Sequence, residues 1–315
     1  ILGLAADALR RPTFPPEQVE RLRGEILTRL NIQANDTRSR ASEAFYELAY
    51  PGHPYSIEED GYPETIRALT REDLIRFHGT HYGPRGMLVT VVGAVSAEAA
   101  VDLVAKHFGD WTNPAQGDLP ALPEISRPTA IVKRHVAMAG KAQSDVLLGV
   151  PGPARRHPRF LAARLANNIL GVFGMGGRIG HEVREKNGLA YYAGSALNGG
   201  LGPGAWYAYA GVGSANVDRA VDLIRRELKR FLTRRVTAAE LEDNQAQFIG
   251  RLPLTMETNE GVASNISSME LFGLGLDYLR RYPDLIRALT RDDLLSVAQE
   301  YLSVDGYALA VAGPE

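Results

Sequence analysis

Two stretches of this chain repeat each other at long range, and that fact restricts its architecture more than any other. Residues 62–75, YPETIRALTREDLI, match residues 282–295, YPDLIRALTRDDLL, at ten of fourteen positions, an interval of 220 residues. The same interval carries Gly86 to Gly306, Val91 to Val311 and Gly93 to Gly313, so a helical stretch and the β-run after it (MLVTVVG, then YALAVAG) both recur. An earlier pair, residues 14–30 over residues 236–252, aligns at an interval of 222. A period this long indicates a duplicated domain rather than a solenoid of short units.

The second copy is expected to open near Ala130, where AIVKRHVAM reads as a strand after the proline-rich PAQGDLPALPEISRP. This gives a first domain at 1–113, a linker at 114–128 and a second domain at 129–315. By the same interval, about 90 residues of the first copy are expected to precede Ile1, which makes the first domain N-terminally truncated. Within the second copy, residues 145–150 read as a strand and 159–171 as a helix. Residues 205–211 alternate with period two, and a helix is expected from Asn216 or Asp218 to Leu232. Strands and helices come in runs, which predicts an α+β fold with an antiparallel-rich sheet.

Hydrophobic residues make 45% of the chain and charged residues 23%, a globular composition. The formal net charge of -2 predicts no nucleic-acid partner, and no apolar run approaches the ~18 residues of a membrane helix. With no cysteine, the chain has no disulfide, thiolate metal ligand or cysteine nucleophile. A cytoplasmic location is the expectation, with the periplasm as the alternative.

Several motifs invite a catalytic reading and fall short of it. The cluster GVFGMGGRIG (171–180) has neither GxGxxG spacing nor the GK[ST] of a phosphate loop, and reads as a turn ahead of a helix. HEVRE at 181–185 begins like HExxH, but Glu185 stands where the second histidine is required. His78 and His81 have metal-capable spacing without a third ligand in view. No GxSxG elbow occurs.

PTFPPEQVERLRGEILTRL (12–30), then HPYSI, then LTREDLIRFHGTHYGPRGMLVTVVG, resembles the first domain of the pitrilysin, insulinase and mitochondrial processing peptidase family of zinc metallopeptidases. GMGGRIGHEVREKNGLAYYAGSA (174–196) resembles that family's second-domain signature. The resemblance spans essentially the whole chain. It implies a clamshell of two similar α+β domains, often paired with a second such chain. Active members hold zinc through an HxxEH helix and a glutamate from a later helix. HxxEH does not occur in these residues, and the repeat would place it before Ile1.

The later helix can be read. The family carries glutamates seven residues apart there, two helical turns, and the matching positions hold Leu22 and Arg29. Leucine offers no lone pair, and arginine keeps its charge and donates only. Glu25, one turn before Arg29, is the alternative ligand if the register shifts. In VREKNGLAYYAG, Arg184 and Tyr191 match the arginine and tyrosine that bind substrate in the family. Strand alternation sends Tyr191 and Tyr192 to opposite faces, and the spacing selects Tyr191. If Arg184 is structural, it should pair with Glu182 or Glu185. The resemblance thus implies a non-catalytic subunit that binds peptide substrates, with no cofactor of its own. Zinc would reside in an active, HxxEH-bearing homologous partner, or the chain would form a homodimer. The rivals are a metallopeptidase with HxxEH upstream and an assembly protein with no peptidase role.

Overall fold

The computed structural model describes residues 1–315, and packing divides them into two units. One comprises Ile1–Asn31, Asp60–Ala121 and Pro253–Leu276; the other comprises Ile32–Glu59, Leu122–Leu252 and Asp277–Glu315.

The first unit is helical. Its longest element, Pro16–Ala34, starts on a proline, whose missing N–H costs nothing in a first turn. The helix Leu2–Arg10 packs with Ala97–Phe108, where the Arg10 guanidinium donates to the His107 carbonyl and to Asp110, both at 2.7 Å. The helix Arg71–His81 is opened by a reciprocal box: Thr70 Oγ1 accepts from the Asp73 N–H at 3.2 Å, and Asp73 accepts from the Thr70 N–H at 2.8 Å.

The second unit holds a five-stranded sheet: β1 (Val132–Ala137), β2 (Gln143–Pro151), β3 (Ala190–Leu197), β4 (Ala205–Gly213) and β5 (Ala308–Gly313), in the order β1-β5-β2-β4-β3. Only β1 and β5 run parallel, so the α+β, antiparallel-rich expectation is met. Alternation along β5 sorts its two faces. Ala308, Ala310 and Ala312 join Ala41, Ala44 and Phe45 of the helix Thr37–Ala49, small residues that let the helix approach the sheet. Leu309 and Val311 turn to the larger core, which the sheet shares with the helices Phe160–Gly171, Val217–Thr233 and Arg291–Tyr301.

The sequence repeat reappears as geometry. Arg71–His81 and Arg291–Tyr301 are each eleven residues long, and Thr290 with Asp293 reproduces the Thr70–Asp73 box. One expected element differs. Residues 308–313 form β5, whereas their counterparts in MLVTVVG form no ladder, and Met87, Leu88, Val89 and Val91 are exposed. An extended run becomes a strand only beside another; β5 lies between β1 and β2, and among residues 1–315 no strand pairs with the earlier run.

Candidate functional site

The second-unit signature folds from its glycines outward. Gly174, Gly176 and Gly177 adopt positive φ (65°, 100° and 57°), which lets the chain turn sharply after Phe160–Gly171. At Gly176 a Cβ would lie 2.2 Å from the Ala193 carbonyl oxygen, so the turn packs directly on the backbone of β3. The backbone becomes helical again at Arg178 and widens into a π-turn over His181–Glu185, with the Lys186 N–H donating to the His181 carbonyl. Such widened turns recur at functional positions. Ile179 and Val183, both fully buried, anchor it to the core.

Asn187-Gly188 ends this turn. Gly188 has φ +62°, its N–H donates to the Arg184 carbonyl, and the Leu189 N–H reaches back to the Val183 carbonyl. The first of these is the 5→1 bond of an αL cap closed by a glycine, and it sends the chain straight into β3. There Ala190 pairs with Val212 and Tyr192 with Gly211, so Tyr191 is the extra residue of a β-bulge.

The bulge settles which tyrosine is free. Tyr192 lies over Gly211, where a Cβ would meet its ring at 2.6 Å, and its hydroxyl donates to the buried carboxylate of Asp145. Asp145 also accepts from Thr37 Oγ1 at 2.6 Å, and the Arg38 guanidinium lies 5.3 Å from the centre of the Tyr192 ring. Burial, reinforced by the Asp145 contact, pushes the Tyr192 phenol well above its ordinary range, so it stays a neutral donor. Tyr191 is 83% exposed, and its hydroxyl has no hydrogen-bond partner.

Arg184 is unengaged in a similar way. The two carboxylates that could have claimed it are taken: Glu185 stands 3.0 Å from His181 Nδ1, and Glu182 pairs with Lys186 at 3.2 Å and Arg230 at 3.5 Å. Arg184 makes only a long contact, 3.8 Å, with the Met175 sulfur. One turn and one bulged strand therefore present a guanidinium and a phenol, neither spent on a protein carboxylate.

In the first unit the two metal-helix positions hold nothing a metal could use. Leu22 is 51% exposed and lines an apolar groove with Leu4, Phe14, Val19, Ile26 and Leu74. Arg29 forms a fork to Asp60, Nε to Oδ2 at 2.7 Å and Nη2 to Oδ1 at 2.8 Å. Glu25, the shifted-register alternative, pairs with Arg21 on the exposed face of its own helix. No three histidine, aspartate or glutamate side chains gather as a metal site requires. The donor set of this helix does not fit zinc. His78 and His81 share a helix but serve elsewhere, His78 Nε2 standing 2.8 Å from the Leu9 carbonyl and His81 packing on Phe77.

The bulge, the Asp145 anchor and the ion pairs of Glu182 were not read from the sequence. Two signals were available: a lone carboxylate inside the apolar strand run SDVLLGV, and Asn-Gly immediately after a helical stretch.

Residues 68–248, more than half of the chain, match the family described as the peptidase M16 inactive domain. An uncharacterized zinc protease of Streptomyces coelicolor is 29% identical over 322 aligned residues, covering 99% of this chain and 68% of that protein. A probable mitochondrial-processing peptidase subunit beta of Schizosaccharomyces pombe is 25% identical, covering 99% and 70%. Among solved structures, a peptidase M16 inactive domain from Pseudomonas fluorescens superposes with a TM-score of 0.91 at 25% identity, over all of this chain and 74% of that one. The chain belongs to the peptidase M16 inactive-domain family.

Proposed function

We propose that this chain is a non-catalytic subunit of a zinc metallopeptidase, built as a clamshell of two similar domains, which lends Arg184 and Tyr191 to peptide binding at the site of an HxxEH-bearing partner. The observation that carries this reading is a division of labour. The metal-helix positions hold Leu22 and an ion-paired Arg29, while Arg184 has no carboxylate partner and Tyr191 projects from a bulge. A guanidinium fork and a phenol suit a peptide carbonyl or the anionic oxygen that develops when it is attacked.

Metal analysis of the purified full-length protein tests the first half. The reading predicts well under one zinc per chain, unchanged by Glu25→Ala. About one zinc per chain, lost in Glu25→Ala, would make it a peptidase in its own right. Calorimetry with unstructured peptides tests the second half, since an assembly protein without peptidase work binds a partner but no peptide.

A further inference from the structure

The glycine turn that delivers Arg184 also creates a difficulty for it. Gly174–Gly177 depart from helical φ/ψ, so the turn carrying Arg184 does not inherit its orientation from the helix Phe160–Gly171. Ile179 and Val183 fix how deeply that turn is buried, but apolar contacts are non-directional and leave its rotation weakly specified.

Arg178, the first residue after the glycines, supplies directional contacts. Its Nε and Nη2 donate to Glu240 Oε1 and Oε2, both at 2.7 Å, a planar fork onto the helix Ala238–Arg251. Its Nη1 stands 3.5 Å from Glu227 of the helix Val217–Thr233, and its Cζ lies 5.3 Å from the centre of the Phe231 ring. Glu240 is itself held, accepting from the Thr237 N–H at 2.8 Å in a capping box. The pairing continues through Glu227, which is 3% exposed. Arg230 bonds Glu227 at 2.9 Å and reaches Glu182 at 3.5 Å, and Glu182 holds Lys186 at 3.2 Å. The turn is thus tied to two helices at its start, Arg178, and again at Glu182. Arg184 lies two residues beyond Glu182, and residues so spaced do not share a helical face, so it points away from this network.

We infer that Arg178 is a positioning residue for Arg184: by clamping the turn to Glu240 and Glu227 it fixes the direction in which the Arg184 guanidinium meets a peptide. The inference rests on the functional reading given above for Arg184. The other prominent feature of this face, an open cleft of about 650 Å³ lined by Arg178, His181, Arg230, Glu240 and Asn244, is consistent with this role, since the clamp forms part of its wall.

The experiment is a double-mutant cycle on the full-length chain in complex with its HxxEH-bearing partner, with fluorescein-labelled casein peptides as the probe. Arg184→Ala, Arg178→Ala and the double variant are compared by fluorescence polarisation and by the partner-supported cleavage rate. Near-UV circular dichroism establishes that each variant is folded. Loss of orientation is expected to weaken binding about tenfold in Arg178→Ala. The same change made in the Arg184→Ala background is expected to have no further effect, because the residue that Arg178 orients is gone. A purely structural role would lower binding equally in both backgrounds, and that result overturns the inference, as does full binding by folded Arg178→Ala. If Arg184→Ala alone changes nothing, the functional reading fails and takes this inference with it. Should Arg178→Ala not fold, Arg178→Lys, which keeps the charge but cannot form the fork, is read by the same criteria.

Discussion

The helices Pro16–Ala34 and Ala238–Arg251 hold matching places in the sequence repeat, and they have diverged in what their matching faces do. Val19, Leu22 and Ile26 of the first correspond to Leu241, Asn244 and Phe248 of the second. Leu22 is half exposed in an apolar groove. Asn244 is 1% exposed and bound into a cluster of amides: Asn168 Nδ2 donates to Asn244 Oδ1 at 2.6 Å and to Gln247 Oε1 at 2.7 Å, while Asn244 Nδ2 donates to the Glu240 carbonyl. Neither face carries the carboxylates of a metal-binding helix. One has become apolar and the other has become a buried amide network, so a duplicated helix can keep its place in the fold while its chemistry changes.

The largest effect is expected where the amide cluster is cut. Asn244→Leu, which makes the second copy resemble the first, leaves the buried Asn168 amide short of an acceptor and should cost about 1–3 kcal/mol in urea unfolding. A neutral result would mean that the cluster is surface-like and the contrast between the helices is empty.

The two capping boxes test the converse, the part of the repeat that has not diverged. Thr70→Ala and Thr290→Ala should each cost about 1 kcal/mol, and unequal losses would show that the surrounding packing outweighs the shared cap. The same boxes predict a response to acid. Hydrogen bonds from the Thr70 hydroxyl and N–H, with Arg76 beside them, hold the Asp73 carboxyl at about 2, and the Thr290 contacts lower that of Asp293. A carboxyl whose folded pKa is depressed contributes stability above its unfolded value and loses it as pH falls toward the folded one. The contribution of these caps should therefore be complete at neutral pH and fade below about pH 4. Carboxyl titration by NMR checks this, and an ordinary midpoint for Asp73 would contradict it.

The smallest effect is expected from Leu22→Asn, which gives the first helix the residue of the second. At a half-exposed site it should change stability by less than about 0.5 kcal/mol, and a larger loss would show that the groove is covered.

Much of this organisation was legible in the sequence because repeats, apolar periodicity and caps are local or self-referencing signals. The interval of 220 residues located the two helices that the capping boxes open, the strand run at 145–150 and the alternation at 205–211 located β2 and β4, and the family resemblance placed Leu22 and Arg29 where carboxylates are required. The β-run MLVTVVG pairs with no strand among residues 1–315, and pairing depends on neighbours, which the run itself does not encode. At the site, Arg184 and Tyr191 were legible through the family resemblance, with their seven-residue spacing selecting Tyr191 over Tyr192. That Tyr191 sits at a bulge and is free, while Tyr192 is held by Asp145 some 47 positions earlier in the chain, depends on tertiary contacts. The same holds for Arg184, whose lack of a carboxylate partner follows from Glu182 and Glu185 being engaged by other groups.

The central claim is that this chain binds peptide for a partner that cuts it. The most direct measurement compares peptide cleavage by the HxxEH-bearing partner alone, with the full-length wild-type chain, and with Arg184→Ala. Cleavage that rises with the wild-type chain and falls at least about tenfold in kcat/KM with Arg184→Ala is the predicted result. A partner that cleaves equally well alone, or equally well with either chain, would contradict the claim.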